Sequence, residues 1–195
     1  SGRPRRLSLT GYWELVLGEW RHSNLMHIVT EMDPHSGALL ARNAYGRECA
    51  GRVVFAHVSN EGYGQPEQTL TGNRTEFIGR NGSLASPAAM HRERLSGRTG
   101  AGLDPCAAIQ TGIELADGQE CEIVFVFGAA RNTDEAQYFI RQYGGPAGAR
   151  QALEAVWEYW NHTLGAVQVE TPDHALDVLA NGWLLYQTLS CRLWG

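Results

Sequence analysis

The apolar residues change their spacing near Asn132, and that change constrains the fold more than any other feature. Before it, apolar positions recur every second residue or in short continuous runs. After it, they recur every three or four. A chain patterned this way builds a β-rich layer first and helices second. The run 7–17 alternates over its first part, and 26–32 follows it. Asp33-Pro34-His35-Ser36-Gly37 then reads as a turn, with 38–43 returning as the second arm of a hairpin. Further strands are expected at 52–58, 75–79 and 107–115, the last followed by a turn at 116–119. The run 122–128 is apolar enough to be a central strand. Short strands at this spacing, with no helical pattern between them, predict an antiparallel sandwich over residues 7–130.

Asn132 followed by Glu135 is an N-terminal capping signature, and the pattern predicts a helix over 133–143 ended by Gly144-Gly145-Pro146. A second helix over 147–163 carries the stripe Leu153, Val156, Trp157, Trp160 and Leu164 and stops at Gly165. Residues 132–165 thus read as a helical linker. The last segment, 172–195, reads as one long helix capped by Thr171, with Pro172 and Asp173 suited to its first turn. From Ala175 onward its charges are Asp177 and Arg192. A helix apolar on nearly every side needs neighbours on every side. The chain therefore reads as a piece of a larger protein, ending as a helical domain begins. Apolar surface at 175–194 predicts self-association.

Composition excludes several classes. The 195 residues include six Trp and are 43% hydrophobic, which argues against disorder. Net charge is −5, so there is no electrostatic footprint for nucleic acid. Arg3, Arg5 and Arg6 read as a solvated tail. Cys49, Cys106, Cys121 and Cys191 form no CxxC pair. Buried free thiols of a reducing compartment are the preferred reading, with a Cys106–Cys121 disulfide left open by spacing. A soluble, cytoplasmic location is the expectation.

No GxSxG, P-loop or GxGxxG motif occurs, and the seven histidines stand in neither HxH nor HExxH spacing, so neither metal nor cofactor is expected. Glu120 and Glu122 would share a strand face, a spacing able to hold two acids for sugar chemistry or simply a solvated strand edge. The segment from Gly79 to Met90 is polar at its start. Arg80 and Asn81 offer planar donors suited to hydroxyl-rich or anionic ligands, and the competing reading is a structured turn with Asn81-Gly82 at positive φ. Tyr12, Trp13, Trp20 and Tyr45 form either a stacking platform for sugar rings or ordinary cross-strand packing.

Four stretches together resemble glycoside hydrolase family 94: Leu7 to Gly18, Val29 to Asn43, Phe77 to Leu84 and Trp183 to Trp194. The resemblance runs along the whole chain and is nearest the phosphorylase-like region of cyclic β-1,2-glucan synthases. It implies a galactose-mutarotase-like supersandwich, a helical linker, and an (α/α)6 barrel whose first helix is 172–195. It further implies inverting attack of inorganic phosphate on a β-glucosidic bond, with an Asp as general acid. That Asp and most phosphate ligands would belong to barrel segments beyond residue 195, so this chain would be inactive alone. Arg80, Asn81 and Gly82 match a family motif in a sandwich loop. Arg192 and Trp194 lie where the family's chain enters its active-site region. These five are the candidate sugar-binding residues. The implied partners are a β-glucan or oligosaccharide, the barrel domain and a second copy, in a parent enzyme of the inner membrane. Two other readings compete: a stand-alone carbohydrate-binding module, and a structural or dimerisation domain.

Overall fold

The structure, a computed structural model, describes residues 2–46, 49–59, 68–165 and 168–194. It divides into two compact units, Ser1–Ala149 and Arg150–Gly195.

In the first unit, strand β1 (Arg5–Glu14) leads through the short helix α1 (Arg21–Asn24) to β2 (Ile28–Met32) and β3 (Leu39–Asn43). Next come β4 (Val53–Ser59), β5 (Thr69–Asn73), the one-turn helix α2 (Arg74–Ile78), β6 (Pro105–Leu115) and β7 (Val124–Ala130). The strands form two antiparallel sheets, ordered β1-β6-β5 and β2-β3-β4-β7. The expected hairpin is present, with Met32 opposite Leu39 and Ile28 opposite Asn43. Its turn is closed by Gly37 at φ +69° and by the Asp33 carboxylate, which accepts from Ser36 and from Gln137 of the following helix.

The core lies between the sheets. Ile28, Leu39, Ala41, Ala56 and Val58 of one sheet face Leu70, Ala107 and Ile109 of the other. Each outer face is covered over its central strands as well. Helix α3 (Thr133–Tyr143) lays Ala136 and Ile140 on Leu40, Val53, Phe55 and Ala130. On the opposite side Phe77, Ile78, Ala89 and Leu95 cover Cys106 and Ala108. A strand covered on both faces needs no polar face, so β4 reads as a near-continuous apolar run, while β6 carries Gln110 and Thr111 into the interior.

Several expectations are corrected. The expected strand 75–79 is instead most of helix α2 with its C-cap Gly79: the Asn73 side chain accepts from Thr75 N–H, and the adjacent Phe77 and Ile78 are both buried, a pattern one helical turn accommodates. The strand is β5 just before it, whose Gly72 is required because a Cβ there would stand 2.4 Å from Thr30 Oγ1. Strand β7 sits at a sheet edge, not centrally; its apolar side chains are absorbed by Trp13 and α3. Arg5 and Arg6 are part of β1, opposite Leu115 and Glu114, not a tail. Cys106 is not joined to Cys121, and of the four cysteines only Cys106 is buried.

Asn132 caps α3 as expected, accepting from Glu135 N–H at 2.9 Å. The Glu135 carboxylate, however, bonds the Arg131 N–H and guanidinium. Helix α4 (Pro146–Leu164) follows. In the second unit, α5 (His174–Val178), a π-helical turn (Leu179–Trp183) and α6 (Leu184–Trp194) run on without interruption. Its cap is Asp173, not Thr171. Thr171 instead bonds Asp177 through both N–H and hydroxyl, and the Asn181 amide bonds Val169 N–H and C=O at 2.8 Å each. Two side chains one turn apart thus hold the preceding extended segment against the helix.

Candidate functional site

The segment after α2 is built as a tight, ordered projection. Gly79 leaves the helix at φ +93°, a conformation glycine adopts without Cβ strain. Its N–H donates to Thr75 O, and its own carbonyl accepts from Asn81 and Gly82 N–H. Asn81 has φ +123°, and a Cβ on Gly82 would lie 2.1 Å from Ile78 O, so only glycine fits there. A second turn, Ser86 N–H to Ser83 O, follows before Ala89 returns to the core. Arg80, Asn81 and Gly82 are brought together and exposed. The Asn-Gly turn is real, and it directs Arg80 outward instead of packing it.

At the start of α2, Arg74 joins a charge network that no local motif in the sequence signals. Glu14 accepts from Arg74 Nε at 2.7 Å and from the Tyr12 hydroxyl at 3.3 Å. Asp104 pairs with the Arg21 guanidinium and, at 3.5 Å, with Arg74. The Arg74 hydrogen bond holds the Glu14 carboxyl below its usual range, against the opposing effect of burial. Burial, reinforced by the Glu14 charge, pushes the Tyr12 phenol well above its usual value. Burial, with Asp104 next, pushes the Cys106 thiol up to about 12, so it stays protonated and inert. These residues come from three separated parts of the chain, 12–21, 74 and 104–106, and no local spacing signals their meeting. Nearby, Glu76 gathers Thr71, Ser96 and Arg92, fastening the 87–98 segment over β5.

A general acid needs a carboxyl whose pKa is raised toward working pH. Here the shifts run the other way. Burial raises the Asp33 pKa, but hydrogen bonds from Ser36, Gln137 and His35 outweigh it and leave the carboxyl lowered. Glu120 and Glu122 are exposed and lie outside any strand, so the expected shared strand face does not exist. Among the described residues no group of His, Cys, Asp or Glu could hold a metal ion. Nor is any described helix long and apolar enough to cross a membrane.

The proposed aromatic platform splits. Tyr12 stacks on Phe77 and Trp13 on Phe127, at centroid distances of 4.6 and 5.2 Å, so both are packing residues. Trp20 and Tyr45 are 60% and 78% exposed. In the second unit, Arg192 is exposed on α6, and Trp194 is the last residue of that helix.

Residues 1–146 match the family model described as glycosyl hydrolase 94, supersandwich domain, and residues 159–195 match the glycosyl hydrolase 94 superfamily catalytic domain. The chain belongs to glycoside hydrolase family 94. Among its relatives, cyclic beta-(1,2)-glucan synthase NdvB of Rhizobium meliloti is 35% identical over 195 residues, covering 99% of this chain and 7% of its own length. Cellobionic acid phosphorylase of Neurospora crassa is 30% identical over 94% of this chain and 23% of its own. N,N'-diacetylchitobiose phosphorylase of Vibrio proteolyticus is 26% identical over 63% of this chain and 15% of its own. The chain thus spans less than a quarter of each of these relatives. The family-94 membership expected from the sequence, the antiparallel sandwich and the C-terminal helices all hold.

Proposed function

We propose that this chain is the sandwich and linker of an enzyme that builds or phosphorolyses β-glucan, and that it supports and contacts the glucan without performing the chemistry. The observation that carries the reading is similarity along the full chain to a β-(1,2)-glucan synthase, at a supersandwich region followed by the start of a catalytic domain. The division proposed is sandwich 7–130, linker 132–165, and first barrel helix 172–195. In the parent protein the barrel supplies the general acid, and inorganic phosphate is a co-substrate rather than a cofactor.

Within the chain, Arg80, Asn81 and Gly82 are assigned to sugar contact, with Arg192 and Trp194 beside them in function. Support comes from a hydrogen-bonded turn that leaves Arg80 and Asn81 exposed, their planar donors open to a hydroxylated ligand. Self-association through the exposed apolar faces of α4 and α6 belongs to the same reading, and sedimentation velocity over a range of concentrations reads it.

The test is paired. The chain incubated with phosphate and β-1,2-glucan releases no glucose 1-phosphate, while Arg80→Ala weakens glucan binding with an unchanged unfolding midpoint. Measurable phosphorolysis, or glucan binding indifferent to Arg80→Ala, would refute the corresponding half.

A further inference from the structure

A groove of about 420 Å³ opens beside β3, lined by Val29, Arg42, Asn43, Tyr45, Gly46 and Arg52 among others. Its size falls within the range of small-ligand sites. One residue builds its rim. The Asn43 amide, buried at the end of β3, donates to Leu17 O and Asn24 Oδ1 at 2.8 Å each, and its oxygen accepts from Tyr45 and Gly46 N–H at 2.9 and 2.8 Å. That uses the full hydrogen-bonding capacity of the amide. Gly46 must lack a side chain for this, since a Cβ would come within 2.7 Å of Asn43 Nδ2.

The turn so fixed carries Tyr45, whose ring stacks on His27 at 4.7 Å and 24°. With one face against His27 and 78% of the residue still exposed, the ring's other face is open. An open aromatic face on a rigid turn beside guanidinium groups suits a ligand that is apolar on one face and hydroxylated at its edge. Arg42 is already committed to Glu31 and Thr133, so the groove carries less positive charge than its arginines suggest, which disfavours a purely anionic ligand.

We infer that this groove is a second glucan-binding subsite, in which one pyranose ring lays its C–H face on Tyr45 and Arg52 donates to its hydroxyls. The inference rests on the reading that the sandwich handles β-glucan, and it adds a contact apart from the Arg80 turn.

The experiment is a 1H–15N NMR titration of the chain with linear β-1,2-glucooligosaccharide, and separately with inorganic phosphate. The Tyr45 and Gly46 amides are expected to shift saturably with the oligosaccharide and not with phosphate. Tyr45→Ala should weaken that process about tenfold, and Tyr45→Phe by less than about twofold. Tyr45 is exposed, so both variants keep the wild-type unfolding midpoint. If Arg80→Ala alone abolishes binding and Tyr45→Ala has no effect, the subsite is wrong while the functional reading stands. Saturation of the same amides by phosphate overturns the pyranose assignment. No shift with any oligosaccharide overturns both.

Discussion

The sandwich strands and the C-terminal helices both carry long apolar stretches, yet they treat them differently. In the sandwich, successive residues of β3 and β6 alternate between two covered faces, so Leu39, Leu40, Cys106 and Ile109 are all almost fully buried. In α4 to α6, side chains as large as Trp157, Val178 and Trp183 stay about half exposed or more. A strand in a sheet finds neighbours on both faces from the same fold. A helix apolar all round needs a full shell of neighbours, and its stability is borrowed from whatever supplies them.

That contrast predicts different responses to the same change. Truncating Ile109→Ala opens a cavity between the sheets and should cost about 2–5 kcal/mol in urea unfolding. Trp183→Ala removes a larger side chain yet should change stability by less than about 0.5 kcal/mol, because the side chain is more than half exposed. Equal losses at the two positions would break the comparison.

A smaller effect follows from Asp33, which ties the β2–β3 turn to α3. Its folded pKa is depressed, so its stabilisation is complete above the unfolded value of about 3.9 and is lost as pH falls through the lower folded value. Asp33→Asn should lower stability at pH 7 by about 1–3 kcal/mol and flatten the acid limb of the pH–stability curve. An unchanged acid limb would show that the turn does not depend on that charge.

Smaller again are the caps. Asn132→Ala and Asp173→Ala should each cost about 1 kcal/mol locally. The first should appear in global unfolding, since α3 is packed on the sandwich. The second should appear as faster amide exchange confined to α5 and α6. Global destabilisation by Asp173→Ala would mean the second unit is coupled more tightly than its exposure suggests.

Alternation makes β1 and β6 legible, a continuous apolar run marks β4, the turn Asp33 to Gly37 signals the β2–β3 hairpin, and the Asn132 cap marks the start of α3. Where sequence pattern and fold part, the cause is local. Thr75-Glu76-Phe77-Ile78 carries strand-forming residues, and one helical turn is too short to display a 3.6 period. Thr69-Leu70-Thr71-Gly72-Asn73 hid a strand because its Gly72 serves a close approach to Thr30, a fact invisible without the partner strand. At the site, Gly79 to Gly82 announced its turn through glycine and asparagine. The Glu14–Arg74–Asp104–Arg21 network did not, because its members meet only after folding. The groove at Tyr45 is half visible in the sequence: the aromatic stands out, whereas the role of the buried Asn43 amide that fixes its turn emerges only in the fold.

The most direct test of the central claim, that this sandwich recognises β-glucan without catalysing its turnover, is calorimetric titration of the chain. The ligands are linear and cyclic β-1,2-glucans, with cellobiose and phosphate as controls. Saturable heat with the β-1,2 ligands and none with phosphate is the predicted result. No heat with any glucan would contradict the claim and leave the sandwich a scaffold.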